Sequence, residues 1–413
     1  MDSSLLLYIF GVVLFALGIC VSIALHEAGH MMTAKWFGMK VRRYFVGFGP
    51  TLFSFRRGQT EYGLKAVPLG GFCDIAGMTA LDEVTPEESP KAMWRYPVWK
   101  RTVVLAAGSI THFIIGFIVL YMLAVSMGLP NIDGKAQIES LSCVKNATTE
   151  QQLREYQCES GDPTPAAEAG MQPGDVITAV GGAAVTDWSD VRREIRDSSG
   201  PTPIDVRRDG DTVRLTVDVM RAKRPEITQQ AAEQGDEPRI VSVGMIGISV
   251  KSQFEYGALD GVPATAVFTG DMFVNTWNAL LRFPERIPKV VEAIFGGERD
   301  PDTPVSVVGA SRIGGEAAER GLWELFLLML AALNFFVGIF NLLPLLPLDG
   351  GHIAVTWYEK ARDAIRRLMG KAAAGPVDYT KLSAVTMVFV IIGGAVVLLT
   401  VTADIVNPIR LPE

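Results

Sequence analysis

The sequence predicts a polytopic α-helical membrane protein with about four transmembrane helices, a membrane-associated β-hairpin region and an extracytoplasmic α/β domain. Three observations lead there. Apolar residues make up 49% of the 413 and charged residues only 20%, too apolar a balance for an ordinary soluble enzyme of this length. The apolar residues gather in four runs almost free of charge, Leu5 to Leu25, Thr102 to Leu129, Leu322 to Leu348 and Leu382 to Thr402. As a helix, each run is long enough to cross a hydrocarbon core of roughly 30 Å. Between the first and second runs, and again between the second and third, the pattern changes to short alternating segments set off by Gly and Pro, the mark of strands and turns.

The first run has no basic segment before it and no small-residue cleavage site, so it reads as a permanent helix and not as a secretory signal. From Tyr44 to Gly77, runs such as Thr51 to Phe55 and Tyr62 to Val67 flank Arg57-Gly58-Gln59, a hairpin with its turn near Gly58. Close to a membrane, such a hairpin either offers an open edge to an extended peptide or simply covers the membrane helices from below. Basic residues crowd the stretch between the first and second runs (Lys35, Lys40, Arg42, Arg43, Arg56, Arg57, Lys91, Arg95, Lys100 and Arg101) and return after the third run at Lys360, Arg362, Arg366, Arg367 and Lys371. The positive-inside bias puts both segments in the cytoplasm and both termini outside.

The long outer segment then holds a helix over Ala166 to Gly170, a strand over Asp175 to Val180, a helix over Trp188 to Asp197, and a hairpin of Ile204 to Arg207 with Val213 to Val219 turning at Asp209-Gly210. Arg221 to Glu237 is polar and reads as a linker. Phe254 to Pro304 reads as helical pieces interrupted by Gly and Pro, of which Phe273 to Phe283 and Ile287 to Phe295 are amphipathic enough to lie on the outer membrane face or pack against the spans. The expected division is a first membrane half over 1–127, an outer α/β domain over 128–225, a linker with outer amphipathic helices over 226–320, and a second membrane half over 321–413. The net charge of −7 sits mainly in the outer segment, which has no basic cluster to track phosphates, so nucleic acid is excluded as a partner. Cys143 and Cys158 share that segment, where an oxidising environment would let them pair or where they stay reduced. Cys20 and Cys73 read as packing residues.

The chemistry is concentrated at His26-Glu27-Ala28-Gly29-His30, an HExxH motif on the first helix. Residues four apart share a helix face, so both imidazoles reach one metal with Glu27 beside it. Zinc suits such ligands, since a catalytic zinc takes three protein ligands and leaves the fourth position to water. Glu27 can accept a proton from that water and pass it to a leaving amine, which is peptide hydrolysis. Polar residues at the inner end of an apolar span also default to a functional reading. The third ligand should come from another span. In the stretch from Asn341 to His352, Pro344 and Pro347 break the helix just before Asp349, and irregular backbone at that depth is tolerated only where it is buried in protein or lines a wet cavity. Asp349 is therefore the candidate third ligand, the alternative being a carboxylate that caps the following helix.

HExxH on a first span with NxxPxxxxDG on a later one resembles the site-2 protease family of intramembrane zinc metalloproteases. Pro165 to Ile177 likewise resembles part of a bacterial PDZ domain, so the outer domain is expected to be PDZ-like, with a peptide or adaptor protein as its ligand. The order of elements is similar to the PDZ-containing bacterial branch, of actinobacterial type, that cuts membrane-anchored anti-sigma factors in regulated intramembrane proteolysis. The resemblance implies zinc on His26, His30 and Asp349 and catalysis by Glu27. It also implies single-span membrane substrates first shortened by an upstream site-1 protease, and a plasma-membrane location with the active site near the cytoplasmic side. Asn341 would contact substrate or pin the Pro-broken loop. Where relatives show GPxxN on the second span, this chain has Gly108-Ser109-Ile110-Thr111-His112. His112 is then either a direct metal or substrate group or a buried hydrogen-bonded side chain. His352 is placed to orient the Asp349 loop. The competing function is a zinc peptidase acting on membrane-surface peptides or signal-peptide remnants.

Overall fold

The computed structural model describes residues 3–79, 82–226 and 239–411. The chain folds as two compact units, one of Met1–Met127 with Tyr256–Glu413 and the other of Gly128–Glu255. In the first unit the opening apolar run forms helix α1 (Ser3–Trp36), which continues beyond Leu25 through the HExxH motif. Strands β1 (Val41–Arg57) and β2 (Thr60–Ile75) follow, with the turn at Gly58-Gln59 as expected, and helix α2 (Val98–Ser126) is the second run.

The hairpin is more than a simple ribbon. Gly47 and Gly49 in β1 and Gly70 in β2 have φ of 88°, 82° and 139°, backbone open to glycine and rarely to other residues. Both strands fold back there into two arms. Residues 41–46 pair with 71–75 and also with 61–64, while 51–57 pair with 60–65. Arm 71–75 is bonded to 41–46 on one side, and no other described strand pairs with its outer side.

The second unit comprises β3 (Leu129–Pro130), β4 (Ile138–Leu141), α3 (Glu150–Arg154), α4 (Pro165–Glu168), β5 (Val176–Val180), β6 (Ala183–Ala184), α5 (Trp188–Asp197), β7 (Gly200–Arg208), β8 (Asp211–Glu226), β9 (Arg239–Met245), β10 (Ile248–Val250) and β11 (Gln253–Phe254). Its main sheet runs β6-β5-β7-β8-β9. Val191 and Ile195 of α5 are buried with Ile177, Ile204, Val206 and Val217 of the sheet. Asp187 caps α5 by accepting the Asp190 N–H, the usual remedy for an unbonded first turn. The expected linker is different: Arg221 to Glu226 continues β8 and pairs with β9 from Met220 opposite Met245 to Glu226 opposite Arg239. The rest of that stretch, 227–238, lies outside the described residues. Polar composition misled here because an edge pair needs apolar residues on one face only; Ala222 is buried between exposed Arg221 and Lys223. The unit accordingly extends to Glu255, past the expected boundary at 225. Cys143 and Cys158 form a disulfide, with Cα atoms 5.7 Å apart.

The first unit resumes with α6 (Ala258–Ile294), α7 (Val307–Glu319), α8 (Trp323–Asn341), α9 (Asp349–Leu368) and α10 (Tyr379–Val406). Helix α6 is one continuous helix through Pro263, Pro284 and Pro288, where interrupted pieces were expected. Each proline deletes one backbone donor and crowds the preceding turn, and the helix nevertheless runs unbroken from Ala258 to Ile294. Phe273 stacks edge-on with Phe113 of α2 and Phe335 of α8, so α6 packs against the spans. Helix α7, which no periodicity announced, lies against α1 through small residues: a Cβ on Gly11 would stand 2.5 Å from the Ala318 Cβ and 3.0 Å from the Gly314 oxygen. Small residues let membrane helices approach closely. Among the described residues, four helices are long and apolar enough to cross a membrane: Ser3–Trp36, Val98–Ser126, Trp323–Asn341 and Leu382–Val406. The third is shorter than its apolar run, because the chain leaves the helix at Asn341 and turns through 342–348 before α9.

Candidate metal centre

His26 and His30 lie one turn apart on α1 and are both buried, each 7% exposed. Their Nε2 atoms are 3.1 Å apart and stand 3.4 and 3.3 Å from Asp349 Oδ2. Asp349 is the first residue of α9, and the residue before it makes no side-chain cap. Asp349 Oδ2 is buried without a hydrogen-bond donor, which speaks against the helix-cap alternative and leaves a desolvated oxygen aimed at two imidazole nitrogens.

These separations fit zinc. Donors about 2.0–2.2 Å from a common tetrahedral centre stand roughly 3.3–3.5 Å from one another, and two of the three separations fall there with the third slightly shorter. The tautomer fits as well. His30 Nδ1–H donates to the Val104 carbonyl at 2.7 Å, which turns the Nε2 lone pair toward the shared point, the arrangement usual for a metal-ligating imidazole.

Close backbone approach makes this geometry possible. A Cβ on Gly108 of α2 would lie 2.4 Å from His30 Nε2 and 2.6 Å from His26 Nε2, so only a hydrogen fits there. A Cβ on Gly350 would lie 2.2 Å from the Leu342 carbonyl oxygen, and one on Gly351 would lie 2.6 Å from the Leu345 carbonyl carbon. The turn carrying Asp349 is thus packed backbone to backbone.

Glu27 lines a cavity of about 150 Å³ together with His26, His30 and Asp349. The 71–75 arm forms its wall, with Phe72, Cys73 and Ile75 lining it. Cys73 lines the cavity beside Glu27, and a Cβ on Gly71 would sit 3.1 Å from Glu27 Cγ.

The remaining candidates separate. His112, buried in α2, sets its ring 4.9 Å from that of His26 at a tilt of 43° and bonds through Nδ1 to Asn334 Oδ1 at 2.8 Å. Asn334 donates its Nδ2 to the Leu330 carbonyl, so its oxygen accepts and His112 Nδ1 carries the hydrogen. His112 is not among the residues lining the cavity. Asn341 ends α8 and is half-buried, and it too is absent from the cavity wall. His352 faces the start of α10, its Nδ1 3.4 Å from the Tyr379 hydroxyl. Three participants went unread in the sequence: Gly108, the Val104 carbonyl and Asn334. Asn334 had a signal, an amide midway along an apolar span; the Val104 carbonyl had none, since every residue offers the same group.

The sequence profile of Peptidase family M50 matches residues 14–385. The chain belongs to this family. M50 is the site-2 protease family to which the paired motifs pointed, and the M50 chain is a zinc metalloprotease. It is 48% identical to the zinc metalloprotease Rip1 of Mycolicibacterium smegmatis over 407 residues, 97% of this chain and 98% of the relative. Identity to the Rip1 of Mycobacterium tuberculosis is 47% over 412 residues, 98% of this chain and all of the relative. A putative zinc metalloprotease of Mesorhizobium japonicum is 29% identical over 354 residues, 82% of this chain and 86% of the relative.

Proposed function

We propose that this M50 peptidase cuts single-span membrane proteins in or near their transmembrane segment, with His26, His30 and Asp349 as the zinc ligands and Glu27 as the general base and acid. The observation that carries the reading is the convergence of those four residues on one cavity walled by a strand arm with an unpaired outer side. Zinc, when bound, supplies Lewis acidity that activates water and polarises the scissile carbonyl.

The chain's own residues do the rest. A helical substrate shields its carbonyls, so it must unwind before cleavage; pairing with the outer side of 71–75 would hold it extended beside Glu27. Glu27 then takes a proton from the attacking water and returns it to the leaving amide nitrogen. The close approach of Gly71 to Glu27 Cγ holds that side chain against the 71–75 arm for the transfer. His112, held by Asn334, backs the His26 ring, and Asn341 acts by pinning the loop before Asp349 or by bonding the unwound substrate. His352 steadies the same loop.

The basic segments between α1 and α2 and in α9 support a cytoplasmic site with both termini outside, and the disulfide in the second unit agrees with an oxidising exterior. The second unit is the PDZ-like domain of this scheme. Its β9 edge would bind a peptide or adaptor, and its bulk would exclude proteins not yet shortened by a site-1 protease. By its likeness to the Rip1 enzymes, the substrate class is the membrane-anchored anti-sigma factors.

The test is cleavage of a panel of single-span substrates, full-length and pre-shortened, alongside metal analysis of the wild type and Glu27→Ala. The expected result is retained zinc with activity reduced by at least ~10³-fold in the variant, and cleavage of shortened substrates alone by the wild type. Equal cleavage by both proteins would overturn the mechanism. Turnover confined to surface peptides or signal-peptide remnants would favour the peptidase reading.

A further inference from the structure

Helix α9 contributes only its first residue, Asp349, to the lining of the metal cavity. From its position and its surface we infer that α9 is a membrane-surface helix that binds anionic phospholipid headgroups. Its level is set by α2. The Trp357 indole N–H donates to Thr102 Oγ1 at 3.0 Å, and Arg101 pairs with Glu359 at 3.4 Å. Thr102 is where the apolar run of α2 begins, so α9 lies where that span leaves the hydrocarbon. The Lys100 ammonium, over the rings of Phe37, Tyr96 and Trp99 at 5.2 to 5.9 Å, marks the same level with the aromatic and basic groups typical of an interface. The chain leaves one apolar helix at Asn341 and enters the next at Leu382, which keeps α9 on one side of the bilayer.

The surface of α9 has the chemistry of that location. Trp357, Tyr358, Ile365, Leu368 and Met369 are 45% to 89% exposed and recur at spacings of three, four and seven residues, forming one apolar face. The acids of the helix are engaged elsewhere: Glu359 takes Arg101 and the Val377 N–H, and Asp363 takes Arg362 and the Ala374 N–H. Lys360 and Arg367 border the apolar face and Lys371 follows just past its end, all three exposed. Lys360 Nζ lies 4.7 Å over the Trp357 ring, so its charge sits at the edge of the face. An apolar stripe bordered by cations whose carboxylates are turned inward complements anionic lipid.

The test uses the full chain in nanodiscs of phosphatidylcholine alone or mixed equally with phosphatidylglycerol. Amide exchange across 357–369 is expected to slow about tenfold in the anionic discs, and the triple substitution Lys360→Gln, Arg367→Gln, Lys371→Gln is expected to remove that difference. Equal exchange in both lipids, or the same lipid dependence in the triple variant, overturns the inference. Protection that persists in detergent and rises with protein concentration would identify a second copy as the occupant and overturn it too. Exchange does not depend on the peptidase reading, whereas cleavage measured in the same discs does. Loss of the lipid effect on exchange with cleavage intact would sink only the lipid site, and the converse would sink only the proposed reaction.

Discussion

The metal-bearing unit and the α/β unit are built by different rules. In the α/β unit an apolar core of Val and Ile does the work, and the polar residues close ends: Asp187 caps α5, and the buried Asp175 accepts two bonds from Arg208 at 2.7 Å. In the metal-bearing unit the critical contacts are made by residues with almost no side chain, Gly11, Gly108, Gly350 and Gly351, and polar groups lie deep among the spans. With lipid outside, apolar burial does not hold helices together, so closeness does. Side-chain loss should therefore harm the first unit by moving its metal ligands and the second by lowering its stability.

That contrast can be broken by experiment, beginning with the largest effect. Asp349→Ala should leave purified protein with little zinc and cleavage reduced by at least ~10³-fold, read by metal analysis and substrate turnover, while exchange rates across 128–255 stay at wild-type values. Gly108→Ala pushes a methyl into both imidazoles, and about a 100-fold weaker zinc affinity is expected by competition with a chelator. Unchanged affinity would show that the clearance over the rings is not what sets the site. In the other unit, Cys143→Ser opens a loop of sequence separation 15 and should destabilise 128–255 by ~3 kcal/mol, measured by exchange or denaturant, with zinc affinity unaltered.

Two smaller effects sharpen the comparison. Burial pushes the Asp175 carboxyl up, but the Arg208 guanidinium and the Gln172 N–H outweigh it and hold it below the usual carboxylate range. A lowered folded-state value means stability that is present above about pH 4 and is lost as pH falls through the depressed value. Acid should thus loosen 128–255, and Arg208→Met should bring that loosening to higher pH. His352→Phe removes the contact to Tyr379, and a few-fold loss of zinc affinity is expected, the smallest effect of the series.

Much of this was legible because it was local. The HExxH spacing fixed two imidazoles on one face, Pro344 and Pro347 marked the break before Asp349, and Gly58 lay at the hairpin turn. Asp209 and Gly210 ended β7 with positive φ, and α5 fell on Trp188–Asp197 as read. What stayed hidden depends on distant partners. The continuity of α6 rests on Phe113 and Phe335, each more than sixty residues from Phe273, and β9 was invisible until it lay beside β8. The tightness at Gly108 depends on where another helix puts two rings. A departure from GPxxN drew attention to the right turn of α2, but to His112 and not to the glycine four residues earlier.

The bond from His30 to the Val104 carbonyl has a genetic consequence. The acceptor is main chain, so every substitution at position 104 supplies it, and a mutational screen would score that position as tolerant while its oxygen still decides which nitrogen of His30 is free. Only a change in the path of α2 removes the lock. Damage to this enzyme's metal chemistry can therefore originate in residues that bend a helix, with no altered side chain anywhere near the ion.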